Sequence, residues 1–134
     1  MEAGGVSFGI SPAASKKEHE EVYRLPLKAM DAVIYTGFGF PGRDLMLIRS
    51  SDAVVIGCGR IGTIHEFTVA WEANMPLGVL VGEWQTDEVI HNIIDSSNRQ
   101  NPNVIFEKDP KVMIEKLIAM VRKKEDSNEP EIRL

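Results

Sequence analysis

The chain has a single cysteine, Cys58, so an internal disulfide and a multi-cysteine metal site are both excluded. Its three histidines, at 19, 65 and 91, share no metal-ligand spacing, and no metal is expected. Basic clusters are scarce as well. Arg122-Lys123-Lys124 stands alone, and the net charge is -5. Phosphate backbones demand clustered Lys and Arg, so nucleic acid is excluded as a partner. Long apolar runs are missing, which rules out a membrane-spanning helix. No basic start leads into an apolar stretch of the kind that directs secretion. These absences point to a cytoplasmic protein that handles small molecules.

What is present is a core-forming chain of 134 residues, 43% hydrophobic and 26% charged. Val6 to Ile10 reads as a strand ended by Ser11-Pro12. Ala32 to Tyr35 reads as a second strand, followed by the glycine-rich stretch Thr36 to Gly42 and a short helix from Arg43 to Arg49. Residues 13 to 31 show no clean periodicity. Ala53-Val54-Val55-Ile56 is a continuous apolar run, as expected for a strand covered on both faces. A helix from Gly62 to Asn74 carries Ile64, Phe67, Thr68 and Trp71 on one stripe. Leu77 to Val81 is a strand, and Thr86 or Asp87 caps a helix with Val89, Ile90, Ile93 and Ile94 on one face. Val104 to Phe106 is a last strand, and Asp109-Pro110 opens a final helix.

Strands alternating with helices through short loops imply an α/β fold: one Rossmann-like domain, its mainly parallel strands in one sheet with helices on both faces. The domain spans 1–124, and a charged tail runs from 125 to 134. Glu2-Ala3-Gly4-Gly5 reads as a helix end with a glycine stop, so the domain is expected to lack its first strand–helix units. Ligands of such sheets bind at the carboxyl ends of the strands. Two of the four loops there are glycine-rich, and glycines let backbone N–H groups approach a phosphate closely. A phosphorylated ligand is therefore expected at this edge.

Gly57-Cys58-Gly59-Arg60-Ile61-Gly62 spells the dinucleotide fingerprint, and Glu83 after the next strand suits a ribose-binding acid. That fingerprint normally joins the first strand to the first helix, whereas two strands precede it here. A second reading takes the stretch from 43 to 66 together. Cys58-Gly59-Arg60-Ile61-Gly62-Thr63-Ile64-His65-Glu66 resembles the P-G-G-x-G-T-x-x-E motif of the Lonely-guy (LOG) family of Rossmann nucleotide-binding proteins, historically called lysine decarboxylases. Arg43 stands twenty positions before Thr63, with Asp52-Ala53 between them, as that family places its arginine and its Asp-Ala strand. The resemblance runs over roughly residues 5 to 120 and is specific between 40 and 66. It departs at Cys58, which replaces proline, and at Arg60, which replaces glycine. In this it is more similar to a prokaryotic branch whose relatives resemble molybdenum-cofactor carrier proteins.

The resemblance implies a nucleotide or phosphoribosyl ligand, hydrolysis of the N-glycosidic bond of a nucleoside 5'-monophosphate, and a homodimer or higher homo-oligomer formed near the 62–74 helix. It implies no further cofactor. The different-class alternative is a non-catalytic carrier or sensor of a nucleotide-like cofactor such as the molybdenum cofactor. Arg43 and Glu66 are the candidate catalytic residues, to face each other across a crevice. Gly59, Arg60, Ile61, Gly62 and Thr63 are the candidate phosphate-binding residues, and Trp84 is a candidate base contact. Each has a plainer explanation. Thr63-x-x-Glu66 fits a capping box, Arg43 fits a solvated partner of Asp44, and Trp84 fits a cover for the core. Cys58 reads as a packed small residue. Thr63, Glu66, Ala70 and Ala73 share a helix face whose alanines suit close packing, inside the subunit or against a second copy.

Overall fold

The computed structural model describes residues 4–99 and 101–127. The order is β1 (Phe8–Ser11), α1 (Lys16–Glu21), β2 (Ala32–Tyr35), α2 (Gly39–Arg49), β3 (Val54–Ile56), α3 (Ile61–Glu72), β4 (Leu77–Leu80), α4 (Thr86–Ser97), β5 (Val104–Glu107) and α5 (Pro110–Asp126). This is the alternating α/β pattern of a Rossmann-like fold. The chain forms two compact units, 1–47 and 48–134.

In the first unit β1 and β2 run parallel, with Phe8 opposite Ala32 and Ser11 opposite Tyr35. The loops at their carboxyl ends are bolted together. Thr36 N–H donates to Ser11 O, Gly37 N–H to Ala13 O, and Gly39 N–H to Pro12 O. Ser11 is buried, and its hydroxyl lies 2.8 Å from His19 Nδ1 on α1. α1 starts at Ser15, whose hydroxyl accepts Glu18 N–H, while the Glu18 carboxylate accepts Ala14 N–H. This capping arrangement specifies a helix too short to show a 3.6-residue period, so hydrophobic patterning missed it.

In the second unit β3, β4 and β5 form a parallel sheet. Registered partners share a face. The row Val54–Leu77–Val104 and the row Ile56–Val79–Phe106 therefore point the same way, into a core with Phe67, Ala70 and Trp71 of α3 and Ile90 of α4. The opposite row is Val55–Gly78–Ile105. α5 covers it at Gly78, where an added Cβ would come 2.8 Å from Met113 Sδ and 2.9 Å from Leu117. Glycine at 78 is thus what lets α5 sit down on the sheet. Val55 remains 46% exposed, so the expected two-sided cover of β3 is incomplete.

Several expected boundaries move. The strands are parallel, but among the described residues they pair as two sheets rather than one. Apolar runs identify strands without saying which strand pairs with which. α2 begins at Gly39, four residues before Arg43, because a proline in the first helical turn forfeits no intrahelical hydrogen bond. α3 begins at Ile61 and ends at Glu72. α4 has Gln85 at its N-cap position, with no side-chain cap, instead of Thr86 or Asp87. The Asp109 cap with Pro110 is as expected, its carboxylate accepting the N–H of Lys111 and Val112. α5 continues to Asp126, into the segment assigned to a tail. The rest of that tail, 128–134, lies outside the described residues, as do Glu2 and Ala3 of the expected helix stop.

Candidate functional site

The carboxyl ends of β3 and β4 lead into two loops that meet. Thr86, the first residue of α4, is 5% exposed and reaches across to the glycine loop. Its hydroxyl accepts the Gly59 N–H and donates to the Gly59 carbonyl, both at 3.1 Å. On the other side Gly59 is pressed against Thr63. A Cβ at position 59 would come 2.5 Å from Thr63 Cβ and closer still to its hydroxyl. Gly59 is glycine because two helix beginnings, those of α3 and α4, close on its backbone. Its N–H is therefore engaged by Thr86 and is not the ligand donor expected from the sequence. By contrast, Cβ atoms added at Gly57 and Gly62 would meet nothing within 4 Å, so the space above these two residues is open.

α3 starts without compensation. Its N-cap, Arg60, makes no side-chain cap, and the first turn holds no acidic residue. The N–H groups of a first helical turn and the helix dipole then favour an anion, and Arg60, exposed beside them, adds a guanidinium. Because α3 starts at Ile61, Thr63 is not its N-cap, and the Thr63–Glu66 capping box does not form. Glu66 instead sits half-buried in the second turn.

A cleft of about 320 Å³ opens on this loop, lined by Gly59, Arg60, Ile61 and Ile64 from the first arm and by Trp84, Gln85, Thr86 and Val89 from the second. Gly59, Arg60, Ile61 and Trp84, singled out from the sequence, thus line one cleft. Gly62 and Thr63 belong to the same helix start. Trp84 is 39% exposed, Ile61 83% and Val89 44%, so the cleft has an apolar wall beside its cationic end. Gln85 adopts the left-handed region at φ 64, an uncommon conformation for a side-chain-bearing residue and one that concentrates at ligand sites. Thr86 was missed as a site residue because a Thr at a helix start reads first as a cap, and Gln85 because no local pattern marks it. A larger hollow of about 600 Å³ lies by Arg99, Asn101 and Val104, at the amino end of β5 and away from the carboxyl ends where this fold binds ligands.

Arg43 lies in the first unit, in the second turn of α2. Its Nε is 3.1 Å from Asp44 Oδ1, and its guanidinium carbon is 5.8 Å from the Phe40 ring centroid. Asp44 is buried, so this is a partly desolvated pair and not the solvated one expected. Cys58 is exposed instead of packed. Ala70 is fully buried in the core of its own unit, which removes it from any surface offered to a second copy. Among the described residues no group of three or more His, Cys, Asp or Glu gathers as a metal site, and no helix is long and apolar enough to cross a membrane.

Comparison with curated proteins gives no match. Among solved structures, the molybdenum cofactor binding protein from the phototrophic bacterium Rippkaea orientalis is similar, at 26% identity and a TM-score of 0.67. The likeness covers 90% of this chain and 65% of that one, so the chain spans just under two thirds of its structural relative. A family model for SLOG cluster4, within a superfamily that includes LOG-like Rossmann-type proteins, matches residues 1–114, across both compact units. The chain belongs to the SLOG cluster4 family.

Proposed function

We propose that this protein binds and carries a nucleotide-like cofactor, its anionic group on the first turn of α3 and its ring system against Trp84. The observation that carries the reading is the cleft itself. An uncapped, acid-free helix start and Arg60 occupy one end, and an exposed tryptophan lies on the facing arm. The likeness to a molybdenum cofactor binding protein supports a carrier. A pterin cofactor with a phosphate offers the anion and the flat ring that such a cleft would hold. In this reading Ile61, Gly62 and Thr63 supply backbone donors, Arg60 supplies charge, and Thr86 keeps the loop in shape.

Hydrolysis of a nucleoside 5'-monophosphate, the reaction of LOG-like proteins, is the second reading. It is favoured by the start of α3 at Ile61, which takes Glu66 out of the capping box that would otherwise explain it. Water would add at the anomeric carbon as the N-glycosidic bond breaks, giving free base and ribose 5-phosphate. Glu66 would act where positive charge develops at the anomeric carbon. One experiment separates the two. Purified protein is titrated with AMP, GMP, CMP and UMP, and free base is followed by chromatography. Binding without base release is the carrier's result. Release that Glu66→Gln slows by about 10²–10³-fold is the hydrolase's. Absence of binding to any phosphate compound overturns both.

A further inference from the structure

Hydrogen-bonding groups are unevenly spread over the side chains that line the cleft. Ile61, Ile64 and Val89 have none, and Arg60 and Trp84 can only donate. Thr86 is buried, and its hydroxyl already accepts from and donates to Gly59. Gln85 is left as the lining side chain that can offer a ligand an acceptor, and it carries a donor beside it. With no carboxylate among the described lining residues, the cleft has nothing to hold a cationic ring. The placement of Gln85 is specific. It is exposed, its side chain makes no cap bond to α4, and its backbone lies in the left-handed region at φ 64. It directly follows Trp84, whose indole is seated on Gly82: a Cβ added at 82 would come 2.6 Å from Trp84 Cζ2 and Cη2. Backbone thus supports the six-membered part of the indole from behind, while Trp84 stays 39% exposed. This arm of the cleft presents a flat apolar surface with a primary amide next to it.

We infer that Gln85 is a specificity-determining residue that pairs its side-chain amide with the edge of a ring stacked on Trp84, and that the ligand class is a neutral flat ring with a hydrogen-bond donor and acceptor side by side. The inference rests on the nucleotide-like ligand of the preceding section and adds what selects its ring. A primary amide meets such an edge with two parallel hydrogen bonds, its carbonyl accepting from the donor and its N–H donating to the acceptor. Glutamine reads the edge of adenine in this way in nucleic-acid recognition. A half-turn of the amide exchanges its oxygen and nitrogen, so the amino edge of adenine and the oxo edge of hypoxanthine, guanine or a pterin all qualify. A purine without the exocyclic group still stacks, but it offers the amide only half of the pair. The phosphate stays at α3 and Arg60, and its contribution is common to every member of such a series.

The test compares AMP, IMP and purine riboside 5'-monophosphate by titration calorimetry on the wild-type chain and on Gln85→Gly. Glycine takes a positive φ readily, so this variant removes the amide and leaves the turn its conformation. On wild type, AMP and IMP are expected to bind about fivefold or more tightly than purine riboside 5'-monophosphate. Gln85→Gly is expected to abolish that difference while leaving inorganic phosphate binding unchanged. If purine riboside 5'-monophosphate binds wild type as tightly as AMP and IMP, the inference is overturned and the nucleotide reading stands. No binding of any of the three overturns both. If Gln85→Gly keeps the preference, the edge is read elsewhere and the inference fails. If the variant weakens all three and inorganic phosphate by the same factor, Gln85 only shapes the arm, and the inference fails again. The wild-type comparison needs no variant, so poor folding of Gln85→Gly does not protect the idea.

Discussion

Adding one methyl group at position 59 probes how the two helix starts hold the loop. In Gly59→Ala the new Cβ would lie 2.5 Å from Thr63 Cβ. That atom is fixed to the helix backbone and cannot rotate away, so either the first turn of α3 or the loop must move. Overpacking of this kind costs roughly 1–3 kcal/mol. Movement of the loop also breaks the two bonds between Gly59 and Thr86, at about 0.5–1.5 kcal/mol each. Partial relaxation leaves an expected loss of about 2–4 kcal/mol. With an unfolding entropy of roughly 2.1 cal/mol/K per residue, this lowers Tm by about 7–14 °C. The assay is a double-mutant cycle in urea. Thr63→Gly removes the obstructing Cβ, so Gly59→Ala in that background should be milder by at least about 1 kcal/mol. A Gly59→Ala protein that unfolds at the wild-type midpoint, or a cycle with no coupling, would refute the packing argument.

Thr86→Val keeps the shape of the side chain but removes the hydroxyl that both accepts from and donates to Gly59; it should weaken inorganic phosphate binding several-fold, and Thr86→Ser should restore it, as read by calorimetry. Trp84→Ala should weaken AMP and GMP together while sparing inorganic phosphate, since the ring would contact the base and not the anion. The acid limb of stability should involve Glu107, whose carboxyl is held below its usual range by Lys116 at 2.7 Å and then by the N–H groups of Lys108 and Asp109. A depressed carboxyl stabilises the fold above its unfolded value and loses that contribution as pH falls through the folded value. Glu107→Gln should therefore narrow the stability gap between neutral pH and pH values below the ordinary carboxylate range, and an unchanged acid profile in urea titrations would count against it.

The alternation of apolar runs with helical stripes was enough to identify β1 to β5 and α3 to α5, because Val54-Val55-Ile56 and the Ile64–Phe67–Trp71 stripe are strong local patterns. α1 escaped notice because six residues are too few for a period, and its signal lies in the Ser15–Glu18 cap. The start of α2 was hidden by Gly39-Phe40-Pro41-Gly42, where residues that usually break structure occupy a first turn that tolerates them. At the site, Gly59, Arg60 and Ile61, which line the cleft, were marked by the glycine pattern together with the LOG-family resemblance. The use of Gly59 was not: its requirement comes from Thr63 and Thr86, the latter 27 residues away, and no local pattern reports such a contact.

The central claim is that a phosphorylated, nucleotide-like ligand sits at the start of α3. Backbone amide and indole resonances of labelled protein, followed during titration with GMP, test it most directly. The account predicts saturable shifts concentrated at Arg60, Ile61, Gly62 and Thr63 and at the Trp84 indole, with Trp71, buried in the core, largely unmoved. Shifts centred instead on Arg99, Asn101 and Val104 at the other end of the sheet, or no saturable shift at all, would contradict it.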